Sequence, residues 1–206
     1  EDLEYGSPCT DACSAKRSFK LHVEQYYLPA REKSGPKAEV AEEALTASVR
    51  IFSAWVTRIG DDPLTYFDKE FPLALANLDL NFVPGYCALS NYGSTNREVL
   101  KATTDAEGNL IYDYHRLELV KYLVKDRFLK TIQSDVLESD PIKVFVKIEP
   151  HKIAKIREGR FRLIHAVSLI DSMVDRILFG PLMRTVTDQR NVMKTPCIIG
   201  WAPNHG

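Results

Sequence analysis

The chain has 206 residues, 45% of them hydrophobic, and a formal net charge of −1. That is enough apolar content to bury a core in one domain or two. It is too little positive charge for a protein that coats nucleic acid over its whole surface.

No apolar run of about eighteen residues and no basic segment followed by an apolar one is present, so neither a transmembrane helix nor a signal peptide is expected. Membrane association is expected only through a partner. The chain begins at Glu1, and this end is expected to be a cleavage product or an excision boundary. Residues 1–37 are polar and broken by Pro8, Pro29, Gly35 and Pro36, which predicts a poorly ordered arm or a strap across a larger surface. The cysteines Cys9, Cys13, Cys87 and Cys197 are irregularly spaced. Cys9 and Cys13 with His22 fit no standard zinc spacing and lack a fourth ligand, so reduced thiols are expected.

Residues 38–58 carry Ala41, Ala44, Leu45, Ser48, Ile51, Phe52, Trp55 and Val56 at helical spacing. Residues 61–94 are rich in turn formers and aromatics, predicting an irregular stretch with one or two short helices. Asp113 is placed to cap a second long helix that carries Leu117, Val120, Leu123, Val124 and Phe128 on one face. A basic hairpin follows. Ser168 and Asp171 have the spacing of a capping box opening a third helix, with Ile170, Met173, Val174, Ile177 and Leu178 apolar. Gly180 and Pro181 are expected to kink or interrupt it. This organisation predicts an arm over 1–37, a helical region over 38–140, and the hairpin with its following helix over 141–206.

The hairpin is the most informative segment. Residues 147–162 hold six Lys or Arg against two Glu, leaving 21 basic and 26 acidic residues elsewhere. Ile142, Val144, Val146 and Ile148 alternate with Lys143, Lys147 and Glu149, as on the two faces of a strand. After Gly159, Arg160 and Arg162 share one face of a second strand, about 7 Å apart, with Phe161 and Leu163 on the other. Two guanidinium groups at that spacing suit one triphosphate. An ordinary edge hairpin with a solvated charged face explains the alternation equally well.

A longer pattern separates the two. Phe145, Val146, Lys147, Glu149, Pro150 and His151 are followed by Lys155, then by Glu158, Gly159, Arg160, Arg162, Leu163 and Ile164, then by residues 167–171 and 176–180. In order and spacing these blocks resemble the fingers motif F of positive-strand RNA virus RNA-dependent RNA polymerases. Within that superfamily the chain most resembles the sobemovirus and sobemo-like replicases, with luteovirus-type enzymes next. Pro84, Gly85 and Tyr86, followed by residues 93–100, resemble the region upstream of motif F. The resemblance covers residues 82–206 and is weak before that.

The resemblance implies an α+β fold: the helix-rich fingers portion of a right-hand polymerase with a basic antiparallel hairpin and without the palm catalytic core. It implies RNA-templated RNA synthesis in viral replication, with template RNA, nucleoside triphosphates, the rest of the polymerase and viral replication proteins as partners. The implied location is the host cytoplasm, at membrane-associated complexes. Arg162 matches the arginine that contacts the nucleotide triphosphate, and Arg160 a second basic position of the same wall. Lys147 and Lys155 match basic positions near nucleotide and template, and Glu149 the acid that orients one of these cations. Lys152 and Arg157 fall in the loop and are expected on RNA phosphates; His151 is expected in a neutral hydrogen-bonding or turn role.

Mg²⁺ or Mn²⁺ is implied for the complete enzyme, held by carboxylates expected beyond Gly206. Gly60, Asp61 and Asp62 spell a polymerase metal-site triplet but precede Pro63 at the end of a helical stripe, which predicts a cap and a turn. Asp171 and Asp175 on a helix do not replace the strand-borne pair. The chain alone is therefore expected to be inactive, with exposed apolar surface where the palm docks. A non-catalytic RNA- or nucleotide-binding fragment, such as a genome-integrated viral remnant, remains as a second reading. An unrelated domain bearing a basic hairpin is a third.

Overall fold

The computed structural model describes residues 4–24, 37–53, 59–134 and 138–188. In chain order its elements are β1 (Tyr5–Gly6), α1 (Ala12–Glu24), α2 (Ala38–Phe52), α3 (Pro63–Ala76), a 3-10 turn (Ala88–Tyr92) and α4 (Asn96–Leu100). Then come β2 (Thr103–Thr104), β3 (Leu110–Ile111), α5 (Tyr114–Gln133), β4 (Lys143–Val146), β5 (His151–Lys152), α6 (Ile153–Glu158), β6 (Leu163–Ala166) and α7 (Leu169–Thr187). Helices dominate and the sheets are small antiparallel pairs, which is the α+β class expected. Two compact units emerge. One comprises Glu1–Ser34, Asn81–Val99 and Ser139–Leu169; the other comprises Gly35–Leu80, Leu100–Glu138 and Ile170–Gly206.

The first unit is built on the hairpin. β4 and β6 pair with Val144 opposite His165 and Val146 opposite Leu163, and the N–H of Lys147 adds a further bond to the carbonyl of Arg162 at 2.9 Å. β5 pairs with β1 rather than with the hairpin strands, placing Tyr5 opposite Lys152 and Gly6 opposite His151. Helix α1 packs against β4 and β6. Its start is set by Asp11, whose carboxylate accepts from the N–H of Ser14 at 2.6 Å. A helix over 12–24 corrects, for those residues, the expectation of a poorly ordered arm; residues 1–3 and 25–36 of the expected arm or strap lie outside the described residues. The segment offers no apolar stripe to read, because the one side chain it buries is Ser18.

The second unit holds an aromatic core. Tyr66, Phe67 and Phe71 of α3 are buried with Val120, Val124 and Phe128 of α5, the Phe67 and Phe128 rings lying 5.5 Å apart and Tyr66 stacking on Phe128 at 6.2 Å. Asp113 caps α5 as expected, accepting from the N–H of Arg116 at 3.0 Å. The stretch expected to hold one or two short helices contains the short 3-10 turn and, longer than expected, the 14-residue α3, started by Asp62 as cap and Pro63 in its first turn. Helix α2 forms as expected, yet Ala41, Ala44, Leu45 and Ser48 of its stripe are exposed, Leu45 by 65%. Trp55 and Val56 of that stripe lie outside the described residues.

Helix α7 runs through Gly180 and Pro181, so of the kink or interruption expected there the interruption does not occur. Pro181 has no N–H, so the carbonyl of Ile177 loses its usual donor one turn on. The buried hydroxyl of Tyr66 takes that place, donating to Ile177 O at 3.1 Å. Beside it, the carboxylate of Glu70, 2% exposed, accepts from Arg184 of α7 at 2.6 Å. Two side chains one turn apart on α3 thus stitch α7 across its proline.

Candidate functional site

Of the apolar face expected for β4, only Val146 is buried: Val144 is half-buried, as are its neighbours Lys143 and Phe145, and Ile142 is 54% exposed. The N–H of Glu149 donates to the carbonyl of Lys147 at 3.0 Å, a tight three-residue turn that breaks the period of two. Ile148, expected on the apolar face, is turned out and 85% exposed. The basic loop is not a simple loop: it contains β5 and the six-residue α6. Lys155 and Arg157 are exposed on α6, and Lys152 stands at its N-terminus, 3.7 Å from the carboxylate of Glu4.

Gly159 ends α6 with φ 72°, a left-handed conformation that favours glycine. Its N–H donates to Ile156 O at 3.0 Å and that of Arg160 to Lys155 O at 2.9 Å, the paired bonds of a Schellman motif. A side chain at Gly159 would meet Arg17 of α1, with Cβ 2.9 Å from its Nε. The chain therefore reverses at a fixed angle into Arg160, Phe161 and Arg162. Phe161 is buried between two exposed arginines, the facing expected of a strand, although regular pairing of β6 starts at Leu163.

Glu149 lies between two cations. Its carboxylate accepts from Lys147 at 2.6 Å through one oxygen and from Arg162 at 2.5 Å through the other. Lys147 donation holds the carboxyl below the usual glutamate range, with the Arg162 charge adding to it. Arg160 pairs with Glu158 at 3.3 Å. His151 is buried: its Nδ1 donates to Glu149 O at 2.7 Å, and its Nε2 accepts from the N–H of Arg162 at 2.9 Å. Those two bonds require the neutral imidazole with the proton on Nδ1. Its ring packs edge-on against Phe161, centroids 5.7 Å apart.

These groups surround a groove of about 320 Å³ lined by Tyr5, His22, Glu149, Pro150, His151, Lys152, Lys155, Arg160, Phe161 and Arg162. Of the residues singled out in the sequence, Arg162, Arg160, Lys155, Lys152 and Glu149 come together here. Lys147 joins through Glu149, and Arg157 does not line the groove. Tyr5 and His22 were missed, since residues so far back in the chain carry no local signal of proximity to the hairpin.

The segment upstream of the hairpin is tied to its exit. The N–H of Leu169 donates to Pro84 O at 2.8 Å. Gly85, with φ 69°, lies so close that a Cβ would stand 2.8 Å from Ser168 Cα. The ammonium of Lys143 sits 5.6 Å from the centre of the Tyr86 ring.

Of the carboxylates that could suggest a metal site, Asp62 and Asp171 are engaged elsewhere. Gly60 is exposed with φ 79°, and Asp62 caps α3, accepting from Leu64 and Thr65. Gly60 does not cap α2, whose C-cap is Ser53. Asp171 pairs with Arg127 of α5, and Asp175 is raised by partial desolvation and then by the Asp171 charge. Cys9 donates to Asp11, and His22 to the Ser18 carbonyl at 2.7 Å. Among the described residues no three His, Cys, Asp or Glu side chains gather as metal ligands, so they do not fit a divalent-metal centre.

A family model described as viral RNA-directed RNA-polymerase matches residues 33–198. The chain belongs to that family. It is 65% identical over 184 residues to protein P2-P3 of Poinsettia latent virus, covering 85% of this chain and 16% of that protein. It is 42% identical over 105 residues to replicase polyprotein P2AB of Southern bean mosaic virus, 45% of this chain and 10% of the polyprotein. With protein P1-P2 of Potato leafroll virus (strain Potato/Scotland/strain 1/1984) the identity is 27% over 192 residues, 85% of this chain and 17% of that protein. The sobemo- and luteovirus-type likeness expected from the motif is thereby established. The chain spans under a fifth of the length of each of these relatives.

Proposed function

We propose that this chain supplies the fingers wall of the nucleotide-access channel in a viral RNA-directed RNA polymerase that copies an RNA template in genome replication. The observation that carries this reading is the groove at the hairpin, which Arg162, Arg160, Lys155 and Lys152 line together with the carboxylate of Glu149. Arg162 and Arg160 grip the nucleotide triphosphate with Lys155 beside them; Lys147 steadies it from the β4 side. Lys152 and Arg157 take RNA phosphates.

Glu149 acts as a placeholder in this scheme. While the groove is empty, its carboxylate keeps the Arg162 guanidinium, 66% exposed, in a fixed direction. A triphosphate carries more charge than one carboxylate and competes for the same planar fork. The guanidinium then stabilises the charge that grows on the leaving pyrophosphate, which lowers the barrier.

The reaction class calls for divalent metal, and no step is assigned to the described residues through one. The chain alone is accordingly proposed to be inactive, its metal carboxylates coming from elsewhere in the polymerase. Among the described residues no helix is long and apolar enough to cross a membrane. Replication is proposed to occur in the host cytoplasm, with any membrane contact made through partners.

The test is single-nucleotide incorporation by a polymerase carrying this chain. Arg162→Ala should lower turnover by about a hundredfold to a thousandfold, the range for losing one preorganised donor. Arg162→Lys keeps the charge without the fork and should fall between. Lys152→Ala should weaken RNA binding and reduce its salt slope by about one counterion. Near-normal incorporation by folded Arg162→Ala would remove Arg162 from the triphosphate site.

A further inference from the structure

The backbone that carries Arg162 is held by side chains. Ser18 of α1 is fully buried, and its Oγ both donates to Phe161 O and accepts from the N–H of Phe161, each at 2.9 Å. One residue on, the N–H of Arg162 donates to His151 Nε2. Phe161 lies outside the β4–β6 ladder, so its buried N–H and C=O have no strand partner, and one hydroxyl satisfies both. With the Phe161 ring buried, these bonds leave the peptides on either side of it little freedom.

We propose that Ser18 is a positioning residue for phosphate recognition: through the Phe161 backbone it sets where the Arg162 guanidinium group stands in the groove. This rests on reading the groove as a triphosphate site. A fork that must meet phosphate oxygens within a fraction of an ångström depends on the backbone beneath it. A buried serine with a merely structural role makes a different prediction. Its loss would lower stability and leave the affinity of the folded protein unchanged.

A double-mutant cycle separates the two. Inorganic tripolyphosphate is titrated calorimetrically into the 206-residue chain and its variants, at a temperature where circular dichroism shows each one folded. Arg162→Ala should weaken binding about tenfold, the scale of one charge-assisted hydrogen bond. Ser18→Ala should weaken it about threefold to tenfold, within the coupling range of residues in one hydrogen-bond network. The double variant should bind no more weakly than Arg162→Ala alone, because an arginine that is absent cannot be misplaced. If Ser18→Ala does not fold, Ser18→Cys takes its place, filling similar space with a weaker hydrogen-bonding atom.

Wild-type affinity in Arg162→Ala would overturn the triphosphate reading and the proposal with it. A loss in Arg162→Ala with none at position 18 would overturn the proposal alone. So would an equal loss at position 18 whether or not Arg162 is present.

Discussion

Tyr66→Phe removes one oxygen and keeps the ring that stacks on Phe128. Tyr66 is 8% exposed and Ile177 fully buried, so the freed carbonyl of Ile177 gains no water in exchange. Burial, then the nearby Glu70 charge, push the Tyr66 hydroxyl above its ordinary range, so it stays a donor at working pH. Leaving a buried acceptor unpaired costs about 1–3 kcal/mol, and that is the expected loss in urea unfolding. Pro181→Ala restores a backbone N–H to the same carbonyl. In that background Tyr66→Phe should cost less than half as much, a coupling of about 0.5–1.5 kcal/mol. Equal costs in the two backgrounds would show that the hydroxyl does not compensate for the proline.

Two further outcomes follow from the hairpin. The Glu149 carboxyl is lowered in the folded chain, so its stabilising effect is complete above the ordinary value of 4.5 and fades as pH falls through the lower folded value. The advantage of the native protein over Glu149→Gln in thermal unfolding should therefore be constant near neutrality and disappear in acid; a pH-independent difference would count against the Lys147–Glu149–Arg162 clamp. Gly159→Ala should destabilise by about 1–2 kcal/mol through its left-handed backbone, with the Arg17 contact adding to the loss. Unchanged stability in chemical denaturation would contradict that conformation.

The sequence made the hairpin legible because alternation and charge are local signals. Val146 and Phe161 point inward and Arg160 and Arg162 outward, as their spacing demands. Asp113 was legible for the same reason, being a cap read from its neighbours. Helix α1 was not, since its contribution is one buried hydroxyl rather than an apolar stripe. Helix α6 escaped because six charged and apolar residues make under two turns, too short for periodicity to register. The signal available there was Gly159 following a basic turn. The continuity of α7 could not be read either: Pro181 predicts a kink or break, and the tyrosine that donates to the carbonyl it frees lies 111 positions from Ile177. Tyr5, Ser18 and His22 were invisible as site residues for the same reason of distance along the chain.

That distance also sets an order of events during synthesis. Ser18 and Phe161 are 143 positions apart, and β1 must wait for β5 over a similar length of chain. At about 5–20 residues per second, α1 emerges on the order of ten seconds before the strand that completes its packing. A helix of 13 residues is marginal alone in water, so the N-terminal segment remains uncommitted through most of translation. Long-range closure of this kind is slow and falls late in folding. A chain cut short anywhere before residue 161 would never assemble the groove, which is thereby confined to products translated past the hairpin.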